Sequence, residues 1–413
     1  YPLPGKSSLY RNNGGRFVDI TASIAPNLQE IGMVTGCLWS DATGDGWPDL
    51  LLTTEWGSVK LFRNDKGKLV NDTQKADLAN LTGWWTGIAG ADFDNDGDMD
   101  YALGNLGLNT KYKVSPERPF EGYYGSFGET GRKCFVEATW EHGKLFPVRG
   151  RSCSSDAMPF VSRKFLTYEA FARATIPEIY SPNRLKRSHR VEAKVLESGL
   201  ILNDGTGKFS FKPFPRIAQI SPSFGIVAED FDNDGNTDLV LAQNFFSPQP
   251  ETGKMAGGLS QYLRGKGDGT FTPLPPSESG ISIKGDCRSL AALDLDSDGV
   301  MDLAFARNNN SPIVYLGNKQ ETDHPRLRIR LQGIKGNPTA IGSTVFLHFK
   351  DGSMRRAETY AGSGYLTQTP PVVHFGLGKS SPGAIRINWP NGRTSTTQIS
   401  KGSNDLILSQ PEQ

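Results

Sequence analysis

The 413 residues contain no uninterrupted apolar run of about 18 residues, so no segment reads as a membrane-spanning helix. Cysteine is scarce. Cys37, Cys134, Cys153 and Cys287 lack CxxC or Cys/His spacing, which argues against zinc and covalently attached haem. The five histidines, His142, His189, His324, His348 and His374, include no HExxH or other close pair and read as surface or structural side chains. GxSxG is absent, and GLGKSS at 376–381 lacks the earlier glycine of a phosphate loop, since Val373 stands there. A net charge of only +1, with no recognised nucleic-acid module, makes nucleic acid a poor match as partner. Long helical patterns are rare as well, whereas 47 glycines and 26 prolines favour short strands and turns. The first residue is Tyr1, with no methionine and no apolar leader, which fits a trimmed, exported form located outside the cell, in the periplasm or at the cell surface.

What is abundant is aspartate in one repeated pattern: DATGDGWPD at 41–49, DFDNDGDMD at 92–100, DFDNDGNTD at 230–238 and DLDSDGVMD at 294–302. None of these stretches contains lysine or arginine. Two like charges about 4 Å apart repel by roughly 4 kcal/mol at an effective dielectric near 20, so such a turn needs protons or a cation. Asp, Asn and Gly are ordinary turn formers, but a turn alone does not require oxygen side chains at fixed positions 1, 3, 5 and 9. With glycine at position 6 and a backbone carbonyl from position 7, the pattern is a ligand layout for a hard, oxygen-seeking ion, Ca²⁺ rather than Mg²⁺. The candidate ligands are Asp41, Thr43, Asp45, Trp47 and Asp49; Asp92, Asp94, Asp96, Asp98 and Asp100; Asp230, Asp232, Asp234, Asn236 and Asp238; and Asp294, Asp296, Asp298, Val300 and Asp302. About four Ca²⁺ are expected. The first loop departs from the others, because Thr43 replaces a carboxylate and Pro48 stiffens the end.

An EF-hand would place glutamate at position 12 and helices on both sides. Here short apolar runs flank the loops, such as GIVA before Asp230, LVLA at 239–242 and LAFA at 303–306, and these read as strands. Hairpin-like segments LYRNNGGRF, LFRNDKGKL, LILNDGTGKF and YLRGKGDGTF recur between the loops. Together they describe a four-stranded repeating unit, the pattern of a β-propeller blade. The long gap between the second and third loops implies an insertion or a degenerate blade. FVSRKFLTYEAFARAT has the apolar spacing of an amphipathic helix, and a second helix is expected over RLKRSHR at 184–190, giving a helical insertion at about 150–198. The last unit lacks a clear fourth strand, so closure by the N-terminal hairpin, by a missing segment or by another chain is expected. Beyond about residue 322 the acidic repeats stop and alternating segments such as RLRIRLQG predict a small antiparallel β-sandwich, with domains at 1–321 and 322–413.

The D-x-D-x-D-G-x-x-D loops between strands resemble the FG-GAP or VCBS repeats of integrin-α-type β-propellers. NPTAIGSTV at 337–345, GSGYLTQTPPVVHFGLG at 362–378 and INWPNGRT at 387–394 resemble the ASPIC/UnbV domain that follows such repeats in cartilage acidic protein-like and secreted bacterial proteins. KFLTYEAFARATIPEIY at 164–180 resembles the large bacterial members. The resemblance implies a mainly β, exported, calcium-binding propeller with a C-terminal β-domain. Where that group commonly has Gly-Ala-Arg, this chain has Gly342, Ser343 and Thr344, so no role of that arginine carries over.

The leading functional expectation is a noncatalytic module for adhesion, assembly or recognition of a protein or glycan. Sixteen of the 44 acidic residues lie in the loops, and four bound Ca²⁺ would raise the formal charge from +1 to about +9, favouring an anionic partner. The alternative is a carbohydrate-active lyase or hydrolase using Glu169, Glu178 or Glu192 from the insertion. Trp84 and Trp85 read as buried packing, with sugar stacking as the other option. Asn71, Asn80 and Asn309 match N-x-[ST], which matters only in a glycosylating host. Cys134 and Cys153, close in sequence, are a candidate disulfide.

Overall fold

The computed structural model describes residues 1–128, 131–250, 252–318, 324–400 and 402–412. The expected boundary at 321/322 lies outside them. Each acidic loop joins two antiparallel strands in the same register: Ser40 pairs with Asp49, Ala91 with Asp100, Glu229 with Asp238 and Leu293 with Asp302. The strand after each loop begins with a continuous buried run, such as Asp49–Thr54 or Asp238–Gln243, because both of its faces are covered.

Four sheets are built on these pairs. The first contains Met33–Ser40, Asp49–Ser58, Lys60–Asp65 and Lys68–Asn71, in that order, with Thr82–Trp84 added to the second strand. The second contains Ile88–Ala91, Asp100–Leu103, Gly199–Asn203 and Phe209–Pro213. The third contains Ser223–Glu229, Asp238–Gln243, Gln261–Gly265 and Phe271–Leu274, and the fourth has only Cys287–Leu293, Asp302–Arg307 and Ile313–Tyr315.

Successive sheets stack through separate apolar cores. Leu38, Leu51, Tyr101 and Ile201 join the first to the second; Ala89, Leu200, Ile226 and Leu239 join the second to the third; Val227, Val240, Leu290 and Phe305 join the third to the fourth. No such core among the described residues joins the fourth sheet to the first. The far face of the first sheet instead buries Leu50, Leu52 and Phe62 against Leu9, Ala25 and Leu28. The N-terminal hairpin, Tyr10–Asn13 with Arg16–Asp19, forms its own two-stranded sheet and does not supply the missing fourth strand. Its eight residues are exposed, so no apolar face ties it to the fourth sheet.

The insertion is larger and less helical than expected. Leu103 pairs directly with Gly199, so the chain leaves and re-enters the second sheet at one point. Between them lies a four-stranded antiparallel sheet of Lys144–Pro147, Lys133–Glu141, Phe120–Ser126 and His189–Ala193. Five short helices between Arg151 and Lys186 pack on it through Val161, Phe171, Ile176 and Ile179. The expected single helix is split into Phe160–Lys164 and Tyr168–Ala172, because Thr167 caps the second piece by accepting from Ala170 N at 3.1 Å. RLKRSHR is likewise divided between helix Pro182–Lys186 and strand His189–Ala193.

The C-terminal region has two sheets that share one core of Leu327, Ile329, Val345, Leu347, Phe375 and Ile387. Met354–Glu358, Thr344–Phe349, Pro382–Asn388 and Thr394–Gln398 are antiparallel neighbours. In the other sheet Arg326–Gln332 pairs antiparallel with Val372–Gly376 but parallel with the terminal strand Asp405–Ser409, so the expected purely antiparallel order does not hold. Both neighbours face the same core, and burial is satisfied by either strand direction.

Leu51 is fully buried where the first two sheets meet. Leu51→Ala is expected to cost about 2–5 kcal/mol, measured as a lower urea midpoint with calcium present.

Candidate metal centres

The four acidic loops adopt one backbone geometry. Positions 4 and 6 are both left-handed: Gly44 and Gly46, Asn95 and Gly97, Asn233 and Gly235, Ser297 and Gly299. Glycine, and to a lesser degree asparagine, accept that region at low cost. The first aspartate accepts the N–H of the glycine at position 6, at 3.0 Å for Asp41, 3.1 Å for Asp92, 2.8 Å for Asp230 and 3.3 Å for Asp294. The fifth-position aspartates Asp45, Asp96, Asp234 and Asp298 accept the N–H of Trp47, Asp98, Asn236 and Val300 respectively, at 2.7–2.9 Å. Asp232 and Asp296, at position 3, accept from the fifth residue. The turn thus points its carboxylates inward through local bonds.

The ninth aspartate does something different. Asp100 is fully buried and accepts Phe93 N at 3.0 Å with one oxygen and Asn203 N at 2.8 Å with the other. Asp49 accepts from Thr43 and Asn64, Asp238 from Phe231 and Gly265, and Asp302 from Leu295 and Gly317. In each repeat one carboxylate therefore ties the loop to the neighbouring hairpin. The mask of turn residues in the sequence concealed this bracing role, which is legible only once the hairpins are placed.

Three acidic triads bring carboxylate oxygens within 4.8 Å of one another: Asp92, Asp94 and Asp96; Asp230, Asp232 and Asp234; Asp294, Asp296 and Asp302. The first loop, with Thr43 at position 3, forms no such triad among the described residues. Oδ1 of Asp41, Asp92, Asp94 and Asp230 is buried without a hydrogen-bond partner. A buried carboxylate oxygen without a partner is costly, and an oxygen-only set of such atoms fits a hard divalent cation. Burial pushes Asp41 and Asp49 up to about 6, Asp92 and Asp238 up to about 7, and Asp100 and Asp230 up to about 8, with neighbouring aspartates adding to the rise at Asp92 and Asp230. The position-7 residues vary: Trp47 is largely exposed, Asn236 accepts from Asn95 Nδ2 at 2.9 Å in the adjacent loop, Asp98 faces the turn at Gly205, and Val300 is half-buried.

The C-terminal region lies directly on these loops. Arg356, nearly buried, places Nη2 2.9 Å from the Asp41 carbonyl, 3.3 Å from its carboxylate and 2.7 Å from Glu358, whose other oxygen accepts from Ser40 at 2.7 Å. Arg328 reaches Asp294 Oδ2 at 2.8 Å. Gly376 packs so closely on the third loop that a Cβ would collide with the Asp230 carboxylate, and Gly378 donates to Asn233 O at 3.1 Å. The glycines of the rejected phosphate-loop motif thus permit close approach to an acidic turn. The segment 359–371 then runs between the inner strands: the Tyr360 ring packs on the core containing Leu38, Thr369 Oγ1 accepts from Ala292 N at 3.4 Å, and Ser289 donates to Tyr365 O at 2.7 Å.

Arg328, Arg356 and Glu358 were not singled out from sequence. For Arg328 the signal was the charged residues alternating with apolar ones in RLRIRL; MRRAE, with Arg355 and Arg356 adjacent, has no such alternation to mark Arg356 or Glu358. The three candidate glutamates do not converge. Glu169 pairs with Arg173 at 2.8 Å, Glu178 completes a capping box with Thr175, and Glu192 pairs with Arg190 and Lys194. Cys134 and Cys153 border one small cavity as free thiols, as all four cysteines are, so the expected disulfide is not formed. Trp85 is fully buried, whereas Trp84 is half-buried on a cavity wall.

Two outcomes are expected without metal. Because the folded loops hold protons that the unfolded chain releases near pH 4, stability falls as pH rises from about 4 to 8; calorimetry in chelator should show a declining Tm, reversed by calcium at pH 8. Arg356→Leu leaves Asp41 and Glu358 buried without their cation and should cost about 3–5 kcal/mol, read by urea unfolding in chelator.

Comparison with known proteins finds two matching family models. Residues 41–103 match the family model described as FG-GAP-like repeat, and residues 333–413 match ASPIC and UnbV. Cartilage acidic protein 1 of Homo sapiens is 26% identical over 207 residues, covering 49% of this chain and 30% of that protein. The Xenopus tropicalis protein of the same name is 28% identical over 208 residues, covering 49% and 31%. The match therefore spans less than a third of the length of these curated relatives. The crystal structure of the V. cholerae biofilm matrix protein Bap1 aligns over 97% of this chain and 54% of that one, at 12% identity and a TM-score of 0.26, too slight a likeness to support an argument. The chain carries an FG-GAP-like repeat followed by an ASPIC and UnbV region, and is similar to cartilage acidic protein 1 over about half its length.

Proposed function

We propose that this chain is an exported, calcium-stiffened recognition module that binds a protein or glycan without performing chemistry on it. The observation that carries the reading is the set of buried, unpartnered oxygens on Asp41, Asp92, Asp94 and Asp230, which lie in three of the four turns that share one geometry. About four Ca²⁺ would be held by the side chains at positions 1, 3 and 5, with the carbonyls at position 7 and the remaining lone pairs of the ninth aspartates. When bound, the ion supplies positive charge that lets the acidic turns exist as close neighbours at neutral pH.

The four sheets are read as blades of an integrin-type β-propeller within residues 1–321, and residues 322–413 as a sandwich seated on its calcium face. The fourth sheet ends at the short strand Ile313–Tyr315, whose outer edge leaves backbone groups for another strand. That supports completion of the ring by another segment or chain. Extracellular modules bind calcium in the 10⁻⁴–10⁻³ M range, which suits export, and no helix among the described residues is long and apolar enough to cross a membrane. The charge of a calcium-loaded chain favours an anionic surface on the partner.

Titration calorimetry with Ca²⁺ should find uptake by the folded protein, with one ion lost in Asp96→Ala and one in Asp234→Ala. Each site adds about 2.7 kcal/mol at a hundredfold excess over Kd, so chelation should lower Tm by many degrees. No uptake by the folded chain would overturn the metal assignment, and formation of new reducing ends from polysaccharide would overturn the noncatalytic reading.

A further inference from the structure

The acidic loops follow the C-terminal ends of the four inner strands; the opposite ends surround a cavity of about 800 Å³. Thr35 comes from the first of these strands, Thr86 directly precedes the second, and Phe224 and Arg288 stand near the start of the third and fourth. Tyr365, at the far end of the segment that threads between the sheets, lines the same space. No single repeat makes this cavity. Thr35 and Asp41 are separated by about 20 Å of extended chain, so the cavity stands apart from the metal centres.

We propose that this cavity is a binding site for a neutral oligosaccharide. The inference rests on the reading of the chain as a recognition module and names the ligand and its place. The volume lies within the roughly 300–1,000 Å³ typical of ligand sites. The walls are aromatic: Trp56 and Trp84 meet edge to face at 4.7 Å, and Phe224 and Tyr365 at 5.2 Å. At the mouth stand Arg149, Gln249 and Asn308, with Glu137 behind them. The indole N–H of Trp84 has no acceptor among the described residues.

The charges here are already matched. Arg149 Nε lies 3.5 Å from Glu137, and Arg288 is 2.9 Å from Asp286 while its guanidinium covers the Phe224 ring at 4.0 Å. Glu55 accepts from the Tyr1 hydroxyl at 2.7 Å, and burial pushes its carboxyl up. A strongly charged ligand of either sign therefore gains no unmatched counter-ion. Gln249 bridges Arg149 and Glu137, accepting from Arg149 Nη2 and donating to Glu137 at 3.4 Å, so a wholly apolar ligand would strand only the remaining Arg149 N–H groups and the second lone pair of the Gln249 oxygen, still at a cost. A sugar ring has an apolar C–H face for the aromatic walls and hydroxyls at its edge for planar amide, guanidinium and carboxylate groups. That pairing of surfaces matches what the cavity presents.

The test is intrinsic fluorescence and calorimetric titration of the calcium-loaded chain with cellohexaose, maltohexaose, mannohexaose and chitohexaose, alongside choline and sulfated heparin oligosaccharides. Saturable binding of a neutral hexaose is expected, weakened at least tenfold in Arg149→Ala and in Gln249→Ala. Gln249 is exposed, so its variant should keep the wild-type Tm and calcium uptake. No saturable binding of any neutral hexaose, equal binding by the Gln249→Ala variant, or preference for choline or heparin would overturn the proposal. Calcium-dependent retention on extracellular matrix material without neutral-glycan binding would remove the sugar assignment and leave the recognition reading standing.

Discussion

Like charge crowded into buried turns is the constraint around which this molecule is arranged. Three of the four loops bring three carboxylates within 4.8 Å of one another, where their repulsion would open the turn in the absence of positive charge. The ninth aspartate prevents that opening mechanically, because its two oxygens hold backbone N–H groups from the loop and from the next hairpin, as Asp100 does with Phe93 and Asn203. A carboxyl group thereby becomes a cross-link between the loop and the next strand of the sheet. The same device in all four repeats makes each sheet's inner and outer halves depend on one loop.

The C-terminal region supplies positive charge to two of these turns. Arg356 against Asp41 and Arg328 against Asp294 are contacts between that region and the acidic turns it covers. Their desolvation is tolerable because each guanidinium has more than one oxygen partner. The segment carrying Tyr360 and Tyr365 packs between the inner strands, with the Tyr360 ring on the core of the first two sheets and Tyr365 O accepting from Ser289. The two regions of the chain thus complete one another's packing: the repeats provide the floor on which the small domain rests, and the domain supplies the side chains that fill the repeats' centre.

The insertion between Leu103 and Gly199 enlarges the opposite side. Phe135 and Glu137 from its sheet, and Arg149 just beyond it, border the aromatic cavity together with Trp56 of the first sheet and Phe224 of the third. Because the insertion begins and ends on paired neighbours, it could be accommodated without disturbing the repeat it interrupts. The acidic turns and the aromatic cavity therefore lie at opposite ends of the same inner strands.

The sequence by itself determined the strand–loop–strand units, the four turns and the acidic character of each, since residue type at positions 1, 3, 5, 6 and 9 acts within one hairpin and periodic burial acts within one strand. It also marked the change of pattern beyond the repeats. It did not reveal that a Thr167 cap divides the insertion's helix, that the insertion contains a sheet, or that Asp405–Ser409 pairs parallel, because these depend on which surfaces meet. The tertiary structure alone decided that Arg328 and Arg356 face the loops, that Gly376 stands against Asp230, and that Trp84, Phe224 and Tyr365 border one cavity. Electrostatic pairing and cavity formation join residues from 34 to more than 300 positions apart, as Arg328 with Asp294 and Arg356 with Asp41, and no local pattern encodes such a distance.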